Sequence, residues 1–256
     1  MIEGDEMSNN LLEGNVAVVI GGSGGIGKAT ARRLASSGAR VVVVGNTDLK
    51  AVEEIARNLP GEGHMAALAS IADSATLATL TQLVRGRYAK ADILVNTAGL
   101  TKPVNHADLD ALTDELIDEM FRVNWRGQFA AIRAFRELLA ASGDGLVVNV
   151  SSISATTGVG SNIAYCAAKA GLDLMAASLG RALAPHIRVV NVSPGVVDTT
   201  FVPGRGADFN QKVASTTPLG RIGTPDDIAA AIEACATHLS FATGTTLVVD
   251  GGRRLN

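Results

Sequence analysis

Tyr165 and Lys169 stand four residues apart in Tyr165-Cys166-Ala167-Ala168-Lys169. In a helix that spacing puts a phenol and an ammonium on one face, as neighbours. A free phenol has a pKa of about 10, so acid/base work near neutrality needs a lowering of roughly 3 units, equivalent to about 4 kcal/mol. A nearby ammonium supplies part of that, because opposite charge favours the phenolate. In isolation the same pair is also ordinary helix-surface furniture. Ser152 adds weight: it lies thirteen residues earlier, at the carboxyl end of an apolar run that closes with Val147-Val148-Asn149-Val150. Open α/β sheets bind their ligands at that end, and a hydroxyl there can hold a substrate oxygen. Asn124, in Val123-Asn124-Trp125-Arg126-Gly127, is a polar amide among apolar neighbours. It needs partners if buried, and it can break a helix locally and hold a water.

A second constellation precedes these. The apolar run Val16–Ile20 leads straight into Gly21-Gly22-Ser23-Gly24-Gly25-Ile26-Gly27 and then into an amphipathic stretch. Strand, glycine loop and helix in that order suit a dinucleotide: bare positions let the backbone approach pyrophosphate, and the helix N-terminus offers N–H groups and a positive dipole end. Gly21, Gly25 and Gly27 are spaced GxxxGxG, not GxGxxG, and the strand before them makes the signal stronger than glycine spacing alone.

The elements that must hold these groups follow from periodicity. Strands are expected at Val16–Ile20, Arg40–Val44, His64–Ala69, Asp92–Asn96, Gly145–Val150, Ile187–Val192 and Thr246–Val249. Helices are expected at Ile26–Ser37, Leu49–Leu59, Ser74–Tyr88, Leu109–Ala141, Asn162–Ala184 and Pro225–Ala236. This alternation is the pattern of a parallel sheet with helices on both faces. Residues 1–10 show neither period and read as a flexible tail, leaving 11–256 as one catalytic domain. Pro194–Pro218 has no clean period and reads as a lid.

Composition narrows the classes. With 256 residues, 47% hydrophobic and 18% charged, the chain can bury a large core. A net charge of −3 and dispersed Lys and Arg disfavour nucleic-acid binding. The acidic opening MIEGDEMSNN has no apolar core of a signal, and no stretch reaches the roughly 18 apolar residues of a membrane span, so a cytoplasmic protein is the default. Cys166 and Cys235, with four scattered histidines, have no disulfide or metal-ligand spacing, and no metal is expected.

Together the motifs resemble the short-chain dehydrogenase/reductase family, in its form of about 250 residues. Gly21/Gly25/Gly27, Asn96-Thr97-Ala98-Gly99, Asn124, Ser152, Tyr165-xxx-Lys169, Pro194-Gly195 and Asp250-Gly251-Gly252 occur in the family's order and spacing, over Leu11–Gly252. The resemblance implies a single-domain Rossmann-type doubly wound parallel sheet of about seven strands. It also implies an oxidoreductase moving a hydride between NAD(P)(H) and a ketone or secondary alcohol. Asn124, Ser152, Tyr165 and Lys169 would be its catalytic tetrad. Tyr165 would exchange the proton, Ser152 would polarise the substrate oxygen, Lys169 would lower the Tyr165 pKa and bind the nicotinamide ribose, and Asn124 would anchor a relay water. The loop from Gly21 to Gly27, with Ser23, Gly24 and Ile26, would hold pyrophosphate; Asn96, Ala98 and Gly99 would line the adenosine side. Pro194, Gly195, Val197 and Thr199 would flank the nicotinamide.

Some positions depart from the family pattern. Ile20 replaces a Thr, and Thr97 replaces the second Asn of NNAG, which implies altered bracing of the loop and not lost activity. Ser70, followed by Ile71, stands where an Asp often receives the adenine amino group. The second strand ends Val44-Gly45-Asn46-Thr47-Asp48, without the acid that NAD-preferring members carry at Gly45 or the Arg that NADP-preferring members carry at Asn46 or Gly24. With no carboxylate to repel a 2′-phosphate and with Asn46 and Thr47 as donors, NADP(H) is favoured over NAD(H), Asp48 being the contrary element.

The segments that would meet the substrate, Ile153–Thr157, Leu100–Asn105 and Thr200–Thr217, show no carboxylate clamp, so a neutral small-molecule carbonyl or alcohol is expected. The chain is also similar to 3-oxoacyl-carrier-protein reductases, but Gly143 and Pro185 fall where those carry basic residues for the carrier, although Arg136 and Arg188 are near. A homotetramer is implied by the resemblance, through the long helices in one interface and the last strand and helix in another. Two other readings compete. A non-catalytic nucleotide sensor would not need all four tetrad residues, and an epimerase or dehydratase relative usually adds a C-terminal substrate domain, whereas four residues follow Gly252.

Overall fold

A computed structural model of the chain describes residues 10–204 and 207–255. Most of the expected N-terminal tail, residues 1–9, lies outside the described residues, as do two residues of the expected lid. Seven strands form one sheet: β1 (Val16–Ile20), β2 (Arg40–Gly45), β3 (Met65–Leu68), β4 (Ile93–Asn96), β5 (Gly145–Val150), β6 (Ile187–Pro194) and β7 (Thr245–Val249). All neighbours are parallel, in the order β3-β2-β1-β4-β5-β6-β7. The seven expected strands all form, with their ends moved by up to two residues.

Strand side chains divide the core by their period of two. Val16, Val18, Ile20, Val42 and Val44 pack in one cluster with Leu77 of α3 (Ser74–Tyr88), Phe135 of α5 (Gln128–Ala140) and Leu172 of α7 (Ile163–Ala182). Ala17, Val19, Val41 and Val43 pack on the other face with Leu34 of α1 (Gly25–Ser36), Val52 of α2 (Leu49–Arg57) and Ile228 of α9 (Pro225–Thr237). Burial on both faces explains why the strands read as unbroken apolar runs. The chain reverses its winding direction between β1 and β4, so a crevice opens at their carboxyl ends, where Gly21 and Thr97 follow.

The expected single helix Leu109–Ala141 is instead three pieces. Helix α4 (Asp114–Phe121) starts late because the Thr113 hydroxyl caps it, accepting from Leu116 N at 3.4 Å, with Asp114 and Glu115 favourable in the first turn. A π-helical turn (Arg122–Gly127) then joins it to α5. The turn has a local cause: Asn124 is drawn to the backbone beyond β4, and bare Gly127 lies so close to Ile71 that a Cβ would sit 2.7 Å from its carbonyl oxygen. Two short helices were not expected, α6 (Ser154–Thr157) after β5 and α8 (Ala207–Ser215) inside the lid segment; both are too short to show a clear apolar period.

The sheet also contains a buried asparagine ladder. Asn96, Asn149 and Asn191 are register partners across β4, β5 and β6, and none is exposed. Asn96 donates to Asn149 Oδ1 at 2.9 Å and Asn149 to Asn191 Oδ1 at 3.0 Å. Asn191 in turn donates to Leu172 O (3.1 Å) and Asp173 Oδ1 (3.0 Å) on α7. The ladder thus fixes α7 against the sheet through polar bonds that have no water to replace them. Asn149→Ala strands a donor on Asn96 and an acceptor on Asn191. It is expected to cost about 2–4 kcal/mol, seen as a drop of about 5–12 °C in thermal denaturation; a drop below about 2 °C would contradict the ladder's role.

Candidate active site

Helix α7 starts where Asn162 caps it, its Oδ1 accepting from Tyr165 N at 2.6 Å while its Nδ2 donates to Lys102 O at 2.8 Å. That cap fixes Tyr165 in the first turn and Lys169 one turn later, as the spacing predicts. Tyr165 is buried against Met120 and Ala164, with Leu116 and Ile117 of α4 behind it. The Lys169 ammonium lies 5.7 Å from the Tyr165 ring centroid, and it donates to Val150 O at the end of β5 at 2.7 Å. Only 3% of Lys169 is exposed, and burial pushes its ammonium down to about 8 from the usual 10.5, against a smaller upward pull from Asp173.

Ser152 follows β5 and lines the same cavity, its Oγ accepting from Ser154 N at 3.1 Å. Asn124 is wholly buried and sits behind the cavity, not in its wall. Its Nδ2 donates to Leu100 O and Met120 O (2.9 and 3.0 Å), and its Oδ1 accepts from Leu100 N (3.0 Å). The side chain therefore clamps the strand extension beyond Gly99 to the π turn. Both Nδ2 donors are thus engaged by backbone carbonyls.

The cavity measures about 490 Å³, within the range of small-molecule sites. Ile26, Gly99, Ser152, Tyr165, Lys169, Pro194, Gly195, Val197 and Thr199 all line it, so nine of the expected site residues meet there. Thr97 lines it too, and donates to Ile20 O at 2.9 Å, which is the bracing expected at that position. Ser151 Oγ is buried in the wall and, among the described residues, has no hydrogen-bond partner.

The other expected cofactor positions lie at the adjacent crevice, and a dinucleotide fits them. Gly21 has φ +84, and a Cβ there would meet Ala98 N at 2.6 Å; at Gly27 it would meet Gly21 O at 2.1 Å. Gly25 abuts Thr199, whose Cγ2 would be 2.9 Å from an added Cβ, so the lid segment begins against the loop. Ser23 and Gly24 are exposed, and α1 begins at Gly25, after Gly24 as an N-cap with no side-chain hydrogen bond, without an acidic residue in its first turn. Its free N–H groups and positive dipole end suit pyrophosphate. Ala98 is held through its carbonyl by Gln128 Nε2 at 2.7 Å.

Three of these positions have groups engaged within the protein. Asn96 turns its side chain into the ladder, so it shapes the site by bracing the sheet. Ile71 buries its side chain in the core, leaving only its backbone for contact with a ligand. Ser70 is tied through its backbone N–H, which donates to Thr76 Oγ1 at 2.9 Å.

At the end of β2, Asn46 and Thr47 are exposed. A Cβ on Gly45 would lie 2.6 Å from Val52 Cγ1 and 3.8 Å from Ser23 Oγ, so a side chain there would require Val52 of α2 to shift. Asp48 caps α2, accepting from Ala51 N at 3.0 Å. The residues that sequence reasoning missed are Asn149 and Asn191 of the ladder, whose signal is Val-Val-Asn-Val repeated in β5 and β6, and Arg253 and Arg254, which line the cavity.

Comparison with known proteins agrees with this geometry. The family described as Enoyl-(Acyl carrier protein) reductase matches residues 21–254. Ketoacyl reductase 2 of the granaticin polyketide synthase of Streptomyces violaceoruber is 36% identical, over 97% of this chain and 100% of its own. Cis-4-hydroxycyclohexanecarboxylate dehydrogenase of Sinomonas cyclohexanicum is 35% identical, over 93% and 95%. The solved structure of a short-chain dehydrogenase/reductase from Burkholderia xenovorans superposes with a TM-score of 0.88 at 31% identity, covering 94% of this chain and 98% of that one. With fold, glycine loop and matches in accord, the chain belongs to the short-chain dehydrogenase/reductase family of NAD(P)-dependent oxidoreductases.

Proposed function

We propose that this enzyme interconverts a ketone and a secondary alcohol with Tyr165 as the general acid/base, and that it favours NADP(H) over NAD(H). The observation that carries the reading is the convergence of Ser152, Tyr165 and the buried Lys169 ammonium on one cavity beside the glycine loop. The nicotinamide, when bound, supplies or accepts the hydride.

The chain's own groups do the rest. Ser152 Oγ, steadied by Ser154 N, turns its hydroxyl from Ser154 Oγ to donate to the substrate oxygen and orient it towards Tyr165. Tyr165 gives that oxygen its proton in reduction and removes it in oxidation. Lys169, held by Val150 O, supplies a desolvated positive charge that favours the phenolate and donates towards the ribose. Asn124 keeps Gly99 and Leu100 in place so that the crevice holds its shape. Gly21, Ser23, Gly24, Gly25, Ile26 and Gly27 would hold the pyrophosphate, with Ser70, Ile71, Asn96, Ala98 and Gly99 around the adenosine. Pro194, Gly195, Val197 and Thr199 would flank the nicotinamide.

The NADP(H) preference rests on the β2 corner. Gly45 presents no carboxylate and Asp48 is occupied as a helix cap, so nothing acidic is directed at a 2′-phosphate and Asn46 and Thr47 can donate to it. Relatives named for ketoacyl, hydroxycyclohexanecarboxylate and 3-oxoacyl-[acyl-carrier-protein] substrates support a free or carrier-bound carbonyl compound as the substrate class. The same reading includes a cytoplasmic homotetramer; among the described residues no helix is long and apolar enough to cross a membrane. Leu174 on α7, 70% exposed, and the stacked Trp125 and Phe129 are apolar surface on the helices such an assembly would bury.

Tyr165→Phe is expected to lose about 10³-fold in kcat while binding cofactor within about threefold of the native enzyme. The native protein should turn over with higher kcat/KM on NADPH than on NADH. Unchanged kcat in the variant would sink the acid/base role, and a strong NADH preference would sink the cofactor reading. Sedimentation equilibrium should report four protomers, and a monomer at all concentrations would contradict the assembly.

A further inference from the structure

The cavity has charge of one sign only. Among the described residues that line it, Lys169, Arg253 and Arg254 are cationic and none is acidic. Lys169 lies on the buried floor, whereas Arg253 is half-buried and Arg254 exposed, which places the arginines on the solvent side.

Their position is built, not incidental. Asp250 accepts from Gly252 N at 2.8 Å and from Arg254 N at 2.9 Å, closing the turn after β7. Gly251 and Gly252 both have positive φ (64 and 84), and a Cβ on Gly252 would lie 2.9 Å from Pro218 Cγ. The turn is therefore pressed against the end of the lid segment, where Leu219 N also donates to Gly251 O at 3.1 Å. Arg253 spends its guanidinium on that segment, donating to Thr216 Oγ1 at 3.0 Å and Val213 O at 3.4 Å. The Arg254 guanidinium has no hydrogen bond or ion pair among the described residues.

The cofactor's phosphates do not account for this charge. On the proposed reading they would be held by the loop between β1 and α1 and by the end of β2, whereas the arginines follow β7, the last strand of the sheet. The same cavity is lined by the apolar side chains of Phe201, Phe209, Val159 and Val196 as well as by serine and threonine hydroxyls.

We propose that Arg254, steadied by the Asp250 turn and by Arg253, recognises an anionic group on the substrate, distinct from the reacting carbonyl. This rests on the reading of the cavity as the carbonyl site, and it replaces the neutral substrate expected from sequence. The anion is either the carboxylate of a small keto acid, joined to its carbonyl by an apolar ring or chain, or the phosphate of a carrier arm.

Two matched pairs separate the sources: 4-oxocyclohexanecarboxylate against its amide, and the 3-oxobutanoyl thioester of phosphopantetheine against that of pantetheine. Calorimetric titration of the full chain, with and without oxidised cofactor, reads binding independently of turnover. In at least one pair the anionic member is expected to bind about fivefold tighter or more, and Arg254→Glu to abolish or reverse that preference. Arg254→Gln should abolish it without reversing it. A merely structural role for Arg254 would weaken both members of a pair equally. Equal affinities in both pairs, no binding of any probe, or a preference that survives Arg254→Glu would overturn the proposal. Anion-selective binding without any hydride transfer would leave it standing and defeat the carbonyl-reductase reading instead.

Discussion

The active site turns on one constraint: an ammonium that must stay next to a phenol although almost no water reaches it. Lys169 donates to Val150 O and lies beneath the Tyr165 ring. Desolvation is what makes the charge useful, because its field on the phenol is screened far less than it would be in water. The same desolvation burdens the fold. With the ammonium lowered from 10.5 to about 8, the unfolded chain holds a proton between those pH values that the folded chain has released, so this group makes stability rise with pH across that window. Below pH 8 both states are protonated and the burden is complete.

Everything around Lys169 serves to keep it there. Asn162 sets the start of α7, the asparagine ladder joins the sheet to Leu172 and Asp173 on the next turn, and Asn124 clamps Leu100 beside Tyr165. Buried polar groups of this kind are costly when a partner is missing; joined end to end, the ladder leaves only its Asn96 Oδ1 without a partner among the described residues. The glycine loop works by the opposite means: bare positions let backbone meet backbone, and the nearest contacts of Gly21 and Gly27 leave no room for a methyl.

Much of this was legible in the sequence. The strands announced themselves because both sheet faces are covered, and the Tyr165/Lys169 spacing translates directly into one helical face. Leu109–Ala141 misled because its apolar period runs through, while the Thr113 cap and the tertiary pull of Leu100 on Asn124 divide it. Gly45 reads as the absence of an acid; only packing reveals that a side chain there would press on Val52. Arg253 and Arg254 carried no signal, since their meaning depends on a turn that folds the chain end back over the lid segment. Long-range placement of that sort has no local period to betray it.

The most direct test is a titration of the Lys169 side-chain nitrogen by heteronuclear NMR in the native enzyme, assigned with a Lys169→Met variant. A midpoint near 8 is predicted. A midpoint at the ordinary 10.5 would mean that water reaches the ammonium freely, and the account of a desolvated charge acting on Tyr165 would fail.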